Sequence, residues 1–275
     1  MISPDPDSEW ASSIFVRAYG VRFQVRANDA SLLPTLVARL PPGTRTCQQP
    51  TRAAFCCSVV RDPTWRIFLD ADLDIMTDVE AEALYAFEAL VRFEVARRTP
   101  RWTFVHAGVV GWGGRAILIP GRSFSGKSTL VRALVQAGAT YYSDEYAVLD
   151  QRGRVYPFAQ PLMHRTTSGT RERLTIDDLG GTVGARGLPV GMVVATTYEP
   201  GASWNPTPVS PGEGLLALLA NTVRAQVAPS RVMRVLAKVA EGAATVESAR
   251  GDAEDTAADL LSFDAAWHSS RRSIA

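Results

Sequence analysis

The segment Gly121-Arg122-Ser123-Phe124-Ser125-Gly126-Lys127-Ser128 fits the spacing G-x-x-x-x-G-K-[ST], and each residue type in that spacing has work to do on a polyphosphate. Successive backbone N–H groups of a glycine-bearing loop wrap an anion, and the N-terminal end of the following helix adds its dipole. Lys127 can neutralise the β- and γ-phosphates. The Ser128 hydroxyl is a hard oxygen ligand suited to Mg²⁺, and Thr129 follows it into the helix. The pattern reads phosphates and not the base, so it predicts ATP or GTP alike.

Two further groups have types suited to the same chemistry. Asp144-Glu145 pairs two carboxylates after Ser143. Such a pair at a strand end can hold Mg²⁺ and accept a proton from a hydroxyl nucleophile. The alternative is a turn acid with a solvated neighbour. His106 lies in an apolar run, where a histidine is either a site residue or a satisfied member of the core.

The elements that must position these residues can be read around them. Ala116–Ile119 is an apolar strand entering the loop, and Thr129–Ala137, stopped by Gly138, is the helix leaving it. Thr103–Val110 and Arg115–Pro120 form a hairpin across Gly111–Gly114. Ala139–Asp150 holds more strand, Gln151–Gly153 turns into Arg154–Tyr156, and Val190–Tyr198 is a buried strand. Helices are expected over Gly212–Thr222 and Ser230–Glu241. A strand then covers Thr245–Ser248, and Asp252 caps a last helix ending near Leu261. Residues 165–189, rich in Gly and Thr, read as a mobile loop, and residues 263–275 as a disordered polar tail.

Before Pro100 the character differs. Residues 13–26 alternate as a hairpin or two short strands, and Asp29 caps a short helix over Leu32–Leu40. Strands follow at Ala53–Val60 and Trp65–Leu69. A long helix spans residues 78–98, with Leu84, Phe87, Leu90, Val91 and Phe93 near one face. The chain therefore divides into an α+β module at 1–99 and an α/β domain at 100–262.

Composition sets the outer bounds. The 275 residues carry a formal charge of +1, so no strong field recommends nucleic acid or an anionic membrane as partner. No apolar run approaches the roughly 20 residues of a membrane span, and the acidic N-terminus is no secretion signal. A cytoplasmic location is the expectation. Cys47, Cys56 and Cys57 are odd in number and have no zinc-ligand companions, so they read as reduced thiols.

The order His106-Ala107-Gly108, then Gly121–Ser128, then Asp144-Glu145 resembles the catalytic domain of HPr kinase/phosphorylase and its relatives, with the three elements at the family's spacing. The likeness runs more loosely to residue 262. It implies a P-loop kinase domain of the HPr kinase C-terminal type, an α/β fold with a mixed sheet flanked by helices. It further implies ATP on the loop, Mg²⁺ held by Ser128 and Glu145, Asp144 as general base, and His106 near the transferred phosphate. Lys127 acts on that phosphate too. Residues 1–99 look like the N-terminal module of the family's kinase-like relatives. The family's hexamers imply a homo-oligomer.

Three departures stand out. Phe124 occupies a position usually held by a small residue, where it can cover the nucleotide or meet the N-terminal module. Glu145 replaces an aspartate. The Glu-x-Arg-Gly-Leu-Gly signature of dephosphorylation is absent, and Ala185-Arg186-Gly187-Leu188 echoes it without the acid. Neither phosphorylase activity nor HPr as acceptor is therefore carried over.

The expected function is ATP-dependent phosphoryl transfer to a hydroxyl, chiefly serine, of a protein, peptide or small molecule. The competing readings are a nucleotide-responsive ATPase that switches a partner, and a degenerate nucleotide binder. His164-Arg165 and Arg171-Glu172-Arg173 offer arginines to a γ-phosphate or else line a solvated loop. Trp65, Trp102 and Trp112 read as packing residues, and Arg250-Gly251-Asp252 as a strand end and helix cap.

Overall fold

The computed structural model describes residues 10–49, 52–122, 125–165 and 171–272. The chain is mixed α/β and splits into two compact units, Met1–Arg101 and Trp102–Ala275.

The first unit is a six-stranded sheet with one long helix on it. Its strands are β1 (Ser12–Ala18), β2 (Val21–Ala27), β3 (Arg45–Thr46), β4 (Cys56–Asp62), β5 (Thr64–Leu69) and β6 (Asp72–Thr77), in the order β3-β1-β2-β4-β5-β6. Among the described residues of this unit only β2 and β4 run parallel. Asp29 accepts from the Ser31 amide and caps a 3-10 turn that leads into α1 (Leu33–Val37). Helix α2 (Glu80–Arg98) buries Leu84, Phe87, Val91 and Val95 in the same core as Phe23, Phe55 and Ile67. Phe93 does not join them. It is 45% exposed, because Glu94 takes the buried place and draws in Arg97 and Arg98 at 2.7 and 2.6 Å.

The second unit is built on the hairpin of β7 (Thr103–Trp112) and β8 (Arg115–Pro120). Gly113 and Gly114 both have positive φ, 53° and 79°, which a two-residue turn of this hand requires. After β8 come α3 (Lys127–Gln136), β9 (Thr140–Ser143), β10 (Tyr146–Leu149) and β11 (Arg154–Tyr156). A small hairpin, β12 (Leu162–Arg165) with β13 (Arg171–Leu174), precedes β14 (Leu188–Tyr198). The chain finishes with β15 (Thr207–Pro208), α4 (Pro211–Ala220), α5 (Pro229–Gly242), β16 (Ala244–Arg250) and α6 (Ala253–Arg272). Strands β8, β14 and β16 are parallel neighbours, so their C-terminal ends share one edge of the sheet. Helices α3 and α6 cover one face, with Leu130, Leu134 and Leu260 against Ile117, Ile119 and Val194. Helices α4 and α5 cover the other, with Leu218, Val232 and Leu236 against Val105, Leu118 and Val193.

Two expectations are corrected here. Residues 263–272 are not a disordered tail but the last part of α6. Phe263 and Trp267 lie on the core, stacked at 5.9 Å, and His268 sits against Gly191 of β14, where a side chain would collide with it. Much of 165–189 is ordered rather than a loop. Beyond β13 it makes a 3-10 turn at Asp177–Leu179, and then Gly181 and Gly184 pass so close to Val135 and Tyr142 that no β-carbon would fit. Trp65 is core, Trp102 meets Tyr156 edge-on at 5.2 Å, and Trp112 packs on the α3 cluster, as packing residues should. The three cysteines are free, and Cys57 is buried.

Candidate functional site

The glycine segment leaves the C-terminal end of β8 and enters α3 at Lys127. Gly126 has φ 78°, a left-handed conformation that glycine adopts without the clash a β-carbon brings. Lys127 is only 7% exposed, and its Nζ donates to the Arg122 carbonyl at 2.6 Å, tying Arg122 to the start of the helix. Burial lowers the Lys127 pKa, and the nearby charges of Glu145 and Asp144 oppose that shift. Gly121 and Ser125 are half-buried, while Arg122 and Thr129 are exposed. Ser123 and Phe124 lie outside the described residues.

Strand β7 brings the histidine. Its Gly108 allows α3 to pack directly on the strand, since a β-carbon there would stand 2.6 Å from Val131. His106, two residues earlier, is anchored by its own amide to the Asn221 carbonyl at 2.7 Å, and Gly121 N donates to the His106 carbonyl at 3.2 Å. The His106 Nδ1 stands 2.7 Å from the Gly121 carbonyl. A carbonyl can only accept, so Nδ1 carries a hydrogen, and Nε2 is left facing Glu145 Oε1 at 3.5 Å.

The carboxylates come from an interruption between two short strands that both pair with β7. Strands β9 and β10 continue one another along β7, with Ser143 opposite Val109 and Tyr146 opposite His106. Asp144 and Glu145 form the break between them. The Ser143 hydroxyl accepts from the amides of Glu145 and Tyr146 at 3.1 and 2.9 Å, which tightens the turn. Edge-on contacts among Phe104, Tyr146 and Phe158, with centroids 5.6 to 5.9 Å apart, hold β10 to its neighbour.

Asp144 takes hydrogen bonds from the Tyr141 hydroxyl at 2.9 Å and from the Ser128 side chain. Burial raises its pKa, and those two hydrogen bonds oppose the rise. The hydroxyl of Ser128 therefore meets Asp144, whereas the resemblance pairs Ser128 with Glu145. The structure thus gathers His106, Lys127, Ser128, Asp144 and Glu145, from three separate stretches of sequence, at one end of β8.

Sequence reasoning missed Tyr141 and took Arg250 only for a strand end. Arg250 is 2% exposed and donates from Nη2 to the Ser125 carbonyl at 3.1 Å. Tyr141 is fully buried and also reaches the Gln160 carbonyl at 3.0 Å. An acid three residues from a tyrosine was the one available signal for Tyr141. The contact of Arg250 with residue 125 leaves no local trace.

The chain matches no protein-family model and no curated protein.

Proposed function

We propose that this chain is a P-loop phosphotransferase of the HPr kinase-like type, transferring the terminal phosphate of ATP or GTP to a hydroxyl of a protein, peptide or small molecule. The observation that carries this reading is the meeting of Lys127, Ser128, Asp144 and the His106–Glu145 pair around the glycine loop.

Ser128 and Asp144 fit Mg²⁺. Both present hard oxygens, they already touch, and Mg²⁺ takes one or two carboxylates with phosphate and water completing its shell. Among the described residues no cluster of three or more His, Cys, Asp or Glu forms an all-protein cage, and such a site does not need one. Bound there, the ion would draw charge from the phosphate oxygens. Lys127, buried and cationic, stabilises negative charge growing on the transferred group and its leaving oxygen.

Glu145, beside His106, is the more exposed of the pair, with a side chain 36% accessible against 18% for the imidazole. It takes the proton of the acceptor hydroxyl as that oxygen bonds to phosphorus and the bond to the nucleoside diphosphate oxygen breaks. The proton is then shared with the His106 Nε2 that faces the carboxylate.

The test uses labelled ATP with extract, then with the acceptor it reveals. Glu145→Gln is expected to bind Mg²⁺ and ATP as before and to lose transfer by about 100-fold or more, the usual weight of a positioned base. Asp144→Asn is expected to demand far more Mg²⁺. The reverse pattern would restore the roles drawn from the resemblance. Failure of the wild type to label any acceptor that at least one of the two variants leaves unlabelled would sink the kinase reading.

A second reading has one contact in its favour. Tyr141 touches both Asp144 and the Gln160 carbonyl, just before β12, so occupancy at Asp144 can bias the β12–β13 hairpin. A nucleotide-responsive switch would bind its partner in an ATP-dependent way that survives Glu145→Gln.

A further inference from the structure

The candidate site has two sides. On one side of β8 lies β7, with His106 and the β9–β10 break carrying Asp144 and Glu145. On the other lie β14 and β16, which end in register at Tyr198 and Arg250. Ligands of such sheets sit beyond the C-terminal ends of the parallel strands. A triphosphate whose terminal phosphate faces Asp144 and Glu145 is free to extend its nucleoside the opposite way, toward the ends of β14 and β16.

What stands there is unusual for a structural corner. The Arg250 side chain is buried, and among the described residues no carboxylate pairs with it. Among the described residues its Nε is buried without a hydrogen-bond partner, and its Nη1 has only the Gly251 carbonyl, at 3.5 Å. Its Nη2 holds the Ser125 carbonyl at 3.1 Å and lies where a β-carbon on Gly126 would fall, 2.5 Å away. The guanidinium carbon is 5.4 Å from the centroid of the Tyr198 ring, a cation–π distance. Tyr198 itself is 50% exposed. The backbone beyond it folds over the pair, since Glu199 N donates to the Arg250 carbonyl at 2.9 Å and the Ala202 carbonyl lies against Gly251.

A buried guanidinium with no anion is costly, and the charge that would compensate it is negative. A polyphosphate on the adjoining loop supplies that charge. An aromatic face held by the same guanidinium and left half open to solvent is a stacking platform. We propose that Tyr198 and Arg250 form the wall on which the base of the nucleoside triphosphate stacks, with Arg250 tying that wall to the glycine loop. The inference rests on the nucleotide-binding reading of the loop. It adds the recognition of the base, which the loop pattern does not specify. Tyr198 meets the ligand, and Arg250 is a positioning residue that sets both Tyr198 and the loop at Gly126.

The experiment is calorimetric titration of the full chain with ATP and with inorganic tripolyphosphate, each with Mg²⁺. The wild type is expected to bind ATP about tenfold more tightly than tripolyphosphate, the weight of one stacked base. Tyr198→Ala should bring ATP down to the tripolyphosphate affinity and leave tripolyphosphate binding unchanged, which also reports that the loop is folded. Tyr198→Phe keeps the ring and should keep the preference. A Tyr198→Ala variant with the wild-type ratio overturns the inference, and so does one that loses both ligands equally. Equal wild-type affinity for the two ligands overturns the base wall and leaves the loop reading standing. No wild-type binding of either ligand overturns the loop reading, and this inference falls with it.

Discussion

At the residue scale, Gly126 is constrained twice. Its φ of 78° belongs to the left-handed region, where an L-residue with a β-carbon costs roughly 1–2 kcal/mol. The space a β-carbon would need is also filled by the Arg250 guanidinium. That group cannot swing aside without giving up its bond to the Ser125 carbonyl. Gly126→Ala is therefore expected to cost more than backbone strain alone, about 2–3 kcal/mol in urea unfolding. It should also weaken ATP and tripolyphosphate binding together, because the loop itself is displaced. A Gly126→Ala variant with wild-type stability would show that the Arg250 contact is slack. The glycine was legible because its spacing to Gly121 and Lys127 is local. Arg250 was not, because its contact spans 125 residues of sequence and no periodicity encodes it.

At the element scale, legibility followed the amount of apolar surface an element buries. β1, β2, β7 and β8 alternate or run apolar, and both hairpins turn at glycine, so the strands could be read, and for β7 and β8 their pairing as well. β6 could not, because Asp72, Leu73 and Asp74 are all exposed on an edge strand and show no buried face. α6 was cut short for the same reason, as Ser, Arg and Ala around Phe263 and Trp267 hide a stripe only four residues in period.

That stripe carries a buried acid. Asp264 is 3% exposed, burial raises its pKa to about 6, and the charge of Arg115 on β8 opposes the shift. His268, one turn on, faces it at 3.5 Å. A raised folded pKa means that the fold favours the neutral acid. Its contribution is complete below the ordinary aspartate value and is lost as pH climbs through about 6. Asp264→Asn cannot ionise. It should match the wild type in urea unfolding near pH 4 and exceed it near pH 8 by about 1–2 kcal/mol, allowing for screening. A variant less stable at pH 8 would mean that the ionised Asp264 holds α6 through Arg115 or His268.

At the scale of the whole molecule, the division of labour between the two units can be tested. Each has its own core, one running from Val16 to Val95 and the others wholly beyond Trp102. Every residue of the candidate site, from His106 to Arg250, belongs to the second unit. If the loop binds a nucleotide as proposed, protection from hydrogen exchange should therefore be local. ATP with Mg²⁺ is expected to slow exchange at the start of α3, at the Asp144–Tyr146 break and at the ends of β14 and β16. A ligand at a hundred times its dissociation constant stabilises the state it binds by about 2.7 kcal/mol, so amides that open only with the second unit should slow roughly a hundredfold. Amides of β1 to β6 should not change. Tripolyphosphate should reproduce the effect at α3 and at the break but not at Tyr198, because it has no base to stack there. Equal slowing in both units would show that the N-terminal sheet senses the nucleotide, and would make the first unit part of the switch. That outcome would favour regulation of a partner over transfer to a hydroxyl, since the proposed transfer calls only on the groups gathered around β8.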